Sequence, residues 1–265
     1  MDASDDVAQK DPYDAHRAES QTIDEMPGRS AVAHIDMVKR INAILSGNIS
    51  EFARIIQRMN DDPAFSSPIL DIGRPELHEA FLGECERLLH NALSTVHSRV
   101  DLLRTYVKRH FVTELPRLAA EYDTRIGAAF RNNLLHRFLI ELRNYVLHNR
   151  LPVARSQQLF STNPDGSSTF EFKLTLSTTH LLDNADLPAQ VHAWASALGD
   201  DFDVLDLLRQ YHHAVQEFDA WLVAAIWQHY ANDIAKYEAA ARAFNAKWYP
   251  WDSGTTPASV VADRG

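Results

Sequence analysis

The feature that most constrains this chain is one long apolar stripe. Leu77, Phe81, Leu88, Ala92, Val96, Val100, Leu103 and Val107 recur at spacings of three, four and seven residues, the period of one helix face. At about 1.5 Å per residue, a helix carrying that stripe is roughly 45 Å long. Alone it leaves its apolar face in water, so other helices must cover it. Three further stretches supply the cover. Ile41, Ile44, Leu45, Phe52, Ile55, Ile56 and Met59 mark a helix over about 34–60. Phe130, Leu134, Phe138, Leu142 and Tyr145 mark one over about 117–149. Leu205, Leu208, Tyr211, Val215, Phe218, Leu222, Ile226, Tyr230 and Ile234 begin a stripe that continues to Trp248, giving a last helix over about 202–248. The expected fold is mainly all-α, a bundle of long helices.

Prolines and glycines punctuate it. Pro63 ends the first helix, Pro75 fits the first turn of the second, and Pro152 stops the third. Residues 64–74 read as a loop. The pattern then switches to period two in Thr169-Phe-Glu-Phe-Lys-Leu-Thr-Leu-Ser, preceded across Asn163-Pro-Asp-Gly-Ser by Gln158-Leu-Phe-Ser. That is the signature of a β-hairpin, placed at about 156–178. Short helices are expected near 179–184 and 188–198. The polar, acidic residues 1–33 and the stretch 250–265 read as disordered tails, which leaves one domain over 34–249.

Charge bears on partners. The formal net charge is -10, so the chain as a whole repels nucleic acid, and any RNA contact must be local. Residues 131–155 offer such a place, with arginines at 131, 137, 143, 150 and 155 against the single acid Glu141. A lone cysteine, Cys85, excludes an intramolecular disulfide and a Cys-based zinc site. Cys85 lies in the long stripe and is expected in the core. No Glu has a His three residues on, so the paired Glu-x-x-His of bundle di-iron sites is missing, and no metal or cofactor is called for. The nine glycines include no phosphate loop. The aromatic residues of the last helix keep helical spacing and are expected in the core. No apolar run is long enough to span a bilayer, and the polar N-terminus carries no secretory h-region. The expectation is a cytoplasmic chain with no membrane partner.

The basic segment contains Arg143-Asn144-Tyr145-Val146-Leu147-His148. Arg143 brings a permanent cation whose fork suits phosphate. His148 is the side chain suited to proton transfer near neutral pH. Asn144, four residues before His148, shares its helix face, while Arg143 is about 140° away around an ideal helix. His136 and Arg143, seven apart, nearly superpose. With Asn132, Asn133 and Asn144 they are expected to form a polar strip. A solvated face of an amphipathic helix explains the same spacing. A second string, Arg131-Asn132-Asn133-Leu134-Leu135-His136, also fits R-N-x-x-x-H.

The first string, extended through Asn149-Arg150-Leu151-Pro152 and followed by the hairpin and another long helix, resembles the HEPN superfamily of helical bundles, in particular an HEPN-like group of bacterial proteins. The resemblance covers about residues 80–235. It implies an HEPN-like bundle of long helices with one inserted hairpin, and metal-independent endoribonuclease activity of a toxin or phage-defence kind. Arg143, Asn144 and His148 are then the catalytic candidates. His148 would serve as general base on a ribose 2′-hydroxyl or as general acid for the leaving 5′-oxygen. Arg143 would stabilise charge on the phosphate, and Asn144 would support both. His136, Asn132 and Arg150 are the candidate substrate contacts. A homodimer with two facing motifs is implied, with RNA as substrate and an antitoxin or other protein as partner. The resemblance fits equally a non-catalytic HEPN-like module that binds a partner protein or a nucleotide-like ligand.

Overall fold

Five helices begin on a proline: α1 (Pro12–Asp24), α2 (Pro27–Asp61), α3 (Pro63–Leu70), α4 (Pro75–Glu114) and α5 (Pro116–Ile126). Proline at the first helical position gives up an N–H that has no intrahelical acceptor there and arrives with φ already set. The computed structural model describes residues 11–148, 154–162, 165, 168–184 and 186–250. After α5 come α6 (Leu134–His148), the strands β1 (Ala154–Thr162) and β2 (Ser168–Ser177), α7 (Thr178–Asn184), α8 (Ala189–Ser196), the short strand β3 (Asp201–Asp203), α9 (Val204–His229) and α10 (Ala231–Trp248). The fold is mainly all-α, and the hairpin stands where the alternating pattern placed it.

The chain divides into two compact units, residues 1–38 with 222–265, and residues 39–221. One domain over 34–249 was expected. In the larger unit, Leu45, Phe52 and Met59 of α2, Leu89, Leu93 and Val96 of α4, and Phe138 and Leu142 of α6 are fully buried. The three-stranded sheet has β2 in the middle, antiparallel to β1 and to β3, with Thr175 opposite Asp203. Asn60 of α2 fixes the sheet. Its Oδ1 accepts from the Phe172 N–H at 2.5 Å, and its Nδ2 donates to the Phe172 carbonyl at 3.3 Å. The amide thus imitates a neighbouring strand at one residue, which satisfies backbone groups that would otherwise be buried unpaired.

In the smaller unit, the expected tail over 1–33 is helical from Pro12 onward. None of the residues of α1 is buried, but Glu19 ties the helix to α10. Glu19 accepts hydrogen bonds from Lys247 Nζ (2.6 Å) and Trp248 Nε1 (3.0 Å), and these bonds pull its carboxyl below the ordinary range. The His16 ring lies 5.0 Å from Phe244 and 5.1 Å from Trp248. Gly28 of α2 meets α10 so closely that a Cβ there would stand 2.1 Å from the Asp233 carbonyl oxygen.

Three other expectations are corrected. Residues 63–70 form α3 rather than loop. Asp62 caps it, its Oδ1 accepting from the Ala64 and Phe65 N–H groups. The last helix is two helices that meet at Tyr230, and residues 201–203 before them pair with the sheet. The third long helix is broken. After α5 the chain makes a turn of wider π geometry over Gly127–Arg131, with the Asn132 N–H donating to the Gly127 carbonyl (3.0 Å). Asn133 Oδ1 then accepts from the His136 N–H (3.2 Å) and caps α6.

Candidate functional site

The break before α6 separates the two R-N-x-x-x-H strings. Arg143, Asn144 and His148 lie on one uninterrupted α-helix, of which His148 is the last residue. Positions 143 and 148 therefore stay about 140° apart around the axis. Arg143 is half-buried, and its Nη1 donates to Asn144 Oδ1 (3.1 Å). Asn144 Nδ2 in turn donates to Glu141 Oε2 (3.4 Å). The amide side chain thus holds the guanidinium. Arg143 makes no ion pair among the described residues, and its buried Nε has no hydrogen-bond partner there. It keeps a free donor on a pinned cation. The His148 side chain, and Arg150 entirely, lie outside the described residues.

The second string is arranged differently. Arg131 is the last residue of the π turn, and His136 is in the first turn of α6. Five residues of plain helix would set them well apart. With the break between them, both line one cavity of about 240 Å³, together with His97, Asp101 and Arg104 of α4. Arg104 and Arg131 are exposed, and Phe130 and His136 are buried. Asp101 accepts from Arg104 Nη2 (2.9 Å) and lies 3.4 Å from His97 Nε2. Arg131 has no ion pair among the described residues.

His136 corrects the expected polar strip. It is only 8% exposed, stacked on Tyr211 at 5.6 Å and edge-on to Phe130 at 5.6 Å. Burial, with Arg99 and His97 nearby, lowers it to about 4, so the ring is neutral at physiological pH. Asn132 lies outside α6 and is exposed in the turn. The strip of Asn132, Asn133, His136, Arg143 and Asn144 does not form, because the break takes the first two out of the helix and burial takes the third out of water.

Behind Phe130 and His136 lies a polar group that local sequence does not announce. Arg99 of α4 is 2% exposed and forms an ion pair with the buried Asp219 of α9. Its guanidinium stands 5.4 Å from the centre of the Phe130 ring. Burial raises Asp219 to about 6 even though Arg99 draws it down. Burial also pushes up the hydroxyls of Tyr122 and Tyr211, against the pull of Arg99. Arg99 Nε and Nη1, Tyr122 Oη, His136 Nδ1 and Asp219 Oδ2 have no hydrogen-bond partner among the described residues. Cys85 is fully buried, and its thiol is pushed up to about 12 by burial, which makes it a core residue rather than a nucleophile. Among the described residues no cluster of three or more His, Cys, Asp or Glu side chains could hold a metal ion. None of the described helices is long and apolar enough to cross a membrane.

Comparison with known protein families, with curated proteins and with solved structures finds no match for this chain.

Proposed function

We propose that the chain is an HEPN-like, metal-independent endoribonuclease with Arg143, Asn144 and His148 as its reactive group. The observation that carries the reading is the state of Arg143. A half-buried guanidinium normally ends in an ion pair, because an uncompensated charge is costly to desolvate. Arg143 is instead held by the neutral Asn144 side chain and, among the described residues, retains an unused N–H. An anion is the partner that such a group lacks, and a scissile phosphate supplies one. Arg131 and Arg137 also lack ion pairs among the described residues, Arg137 donating to the amide oxygen of Gln190 (3.1 Å). The arginine-rich segment thus offers cations to a polyanion although the chain is acidic overall.

In this reading Arg143 neutralises charge that builds on the phosphate, and Asn144 fixes the guanidinium. His148 exchanges the proton with the ribose 2′-hydroxyl or the leaving 5′-oxygen. The angular separation of positions 143 and 148 favours a homodimer, in which each helix end supplies what the other lacks. Toxin or phage-defence use, with an antitoxin or another protein as regulator, follows from the same resemblance. The test is cleavage of single-stranded RNA in EDTA by the wild type, Arg143→Ala and His148→Ala. The reading expects cleavage by the wild type and loss in both variants. Equal cleavage by all three overturns it.

The second reading, a non-catalytic module, is favoured by the cavity at Arg131 and His136. That cavity assembles buried and charged side chains, and Arg143, Asn144 and His148 are not among the residues that line it.

A further inference from the structure

We propose that the cavity between α4, the π turn and α6 binds a small flat monoanion, a single aromatic or heteroaromatic ring bearing one carboxylate. The inference stands apart from the nuclease reading and does not need it.

Size sets the first limit. Drug-sized ligands occupy pockets of roughly 300–1,000 Å³, while an apolar cavity of about 150 Å³ suffices for benzene. At about 240 Å³, this space admits one substituted ring and little more. Shape and chemistry set the second. The buried rings of Phe130 and His136, inclined at 66° to each other, line the cavity together with the apolar side chains of Val100, Ile126 and Ile140. Aromatic side chains pack favourably against a planar ring, stacked or edge-on.

Charge sets the third. Asp101 and Arg104 offset each other through their hydrogen bond. Arg131 remains without an acidic partner among the described residues, so the two arginines of the lining, Arg104 and Arg131, outnumber its one acid, Asp101, and the buried His136 adds no charge. A guanidinium at the rim of an apolar slot recognises a carboxylate by paired, charge-assisted hydrogen bonds. Inorganic phosphate, which has no apolar part, would leave the slot unfilled. A cation would meet Arg104 and Arg131 at the rim.

The local structure explains why these groups converge. The π turn and the Asn132–Asn133 break redirect the chain between Arg131 and His136, and π turns inside helices recur at functional sites.

The experiment is a fluorine NMR titration of para-fluorobenzoate with the full chain, in competition with benzoate and with inorganic phosphate. The proposal expects a saturable shift that benzoate reverses and phosphate does not. Arg131→Gln should weaken binding about tenfold or more, the scale of one lost charge-assisted contact. Ile140→Trp should abolish binding by filling the slot. Circular dichroism establishes that this variant folds, and Val100→Phe, at another lining residue, replaces it if it does not. A titration with no saturable shift, equal binding by wild type and both variants, or displacement by phosphate as effective as by benzoate would each overturn the proposal.

Discussion

Replacing Asp219 with alanine isolates the energetics of the buried polar group. Arg99 is 2% exposed, and its ion pair with Asp219 is its charge partner in the core. Two of its three guanidine nitrogens already lack hydrogen bonds among the described residues. Asp219→Ala therefore leaves a cation that stays charged, because an arginine does not give up its proton inside a protein. Removing one partner of a buried pair costs about 3–5 kcal/mol. For a chain of this size that corresponds to a fall of roughly 10 °C in Tm. The double replacement Arg99→Met/Asp219→Leu removes both charges at similar volume and should recover most of the loss, since an apolar pair is often as stable as the ions it replaces. Urea denaturation followed by tryptophan fluorescence reads both. The reasoning fails if Asp219→Ala costs less than about 1 kcal/mol, the scale of an exposed pair, or if the double variant is no more stable than the single one.

The same group makes a prediction about pH. Burial lowers His136 from 6.5 to about 4, so its contribution to stability is present above 6.5 and is lost as pH falls toward 4. Asp219 is raised from 3.8 to about 6, so its contribution is present below 3.8 and is lost as pH rises through 6. Each is worth at most on the order of 3 kcal/mol, and in the wild type they offset. Between pH 4 and 6, His136→Phe should therefore gain stability as pH falls, and Asp219→Asn should lose it; identical slopes in both variants would contradict the assignment. In the smaller unit, Gly28→Ala drives a Cβ into the Asp233 carbonyl oxygen and should cost about 2 kcal/mol or more in a thermal melt. An unchanged melt would mean that α2 and α10 are not in close contact there.

Much of this fold is written in local patterns, and what is not written locally depends on distant residues. Pro75 and the stripe from Leu77 to Val107 announce α4, because a proline start and a period of 3.6 are properties of neighbouring residues. The hairpin is equally local. Pro68 argues against α3, yet the Asp62 cap and the burial of Ile69 outweigh it. Helix α1 looks like a solvated leader because the residues that hold Glu19 lie 228 and 229 positions away. The Asp201–Asp203 strand is too short for any periodicity, and only its pairing with Thr175–Ser177 makes it a strand.

The candidate site follows the same division. Helical spacing places Asn144 with His148 and Arg143 with His136, and the hydrogen bond between the neighbours Arg143 and Asn144 comes from the structure. His136 was misplaced on a polar strip because helical projection assumes an unbroken helix. Gly127 and the consecutive Asn132 and Asn133, residues that compete with helix by side-chain hydrogen bonding or backbone freedom, were the available sign of the break. Arg99 offered no sign at all. It sits among Val96, Val100 and Leu103, and its partner Asp219 is 120 positions away.

The most direct test of the nuclease reading is the chemistry of the RNA ends. Incubation in EDTA with an oligoribonucleotide and with its 2′-O-methyl counterpart, followed by mass spectrometry, should give 2′,3′-cyclic phosphate and 5′-hydroxyl termini from the first and nothing from the second. Both products should vanish with Arg143→Ala. Intact RNA after incubation with the wild type, or the same termini produced equally by Arg143→Ala, would contradict the assignment of Arg143, Asn144 and His148 as the reactive group.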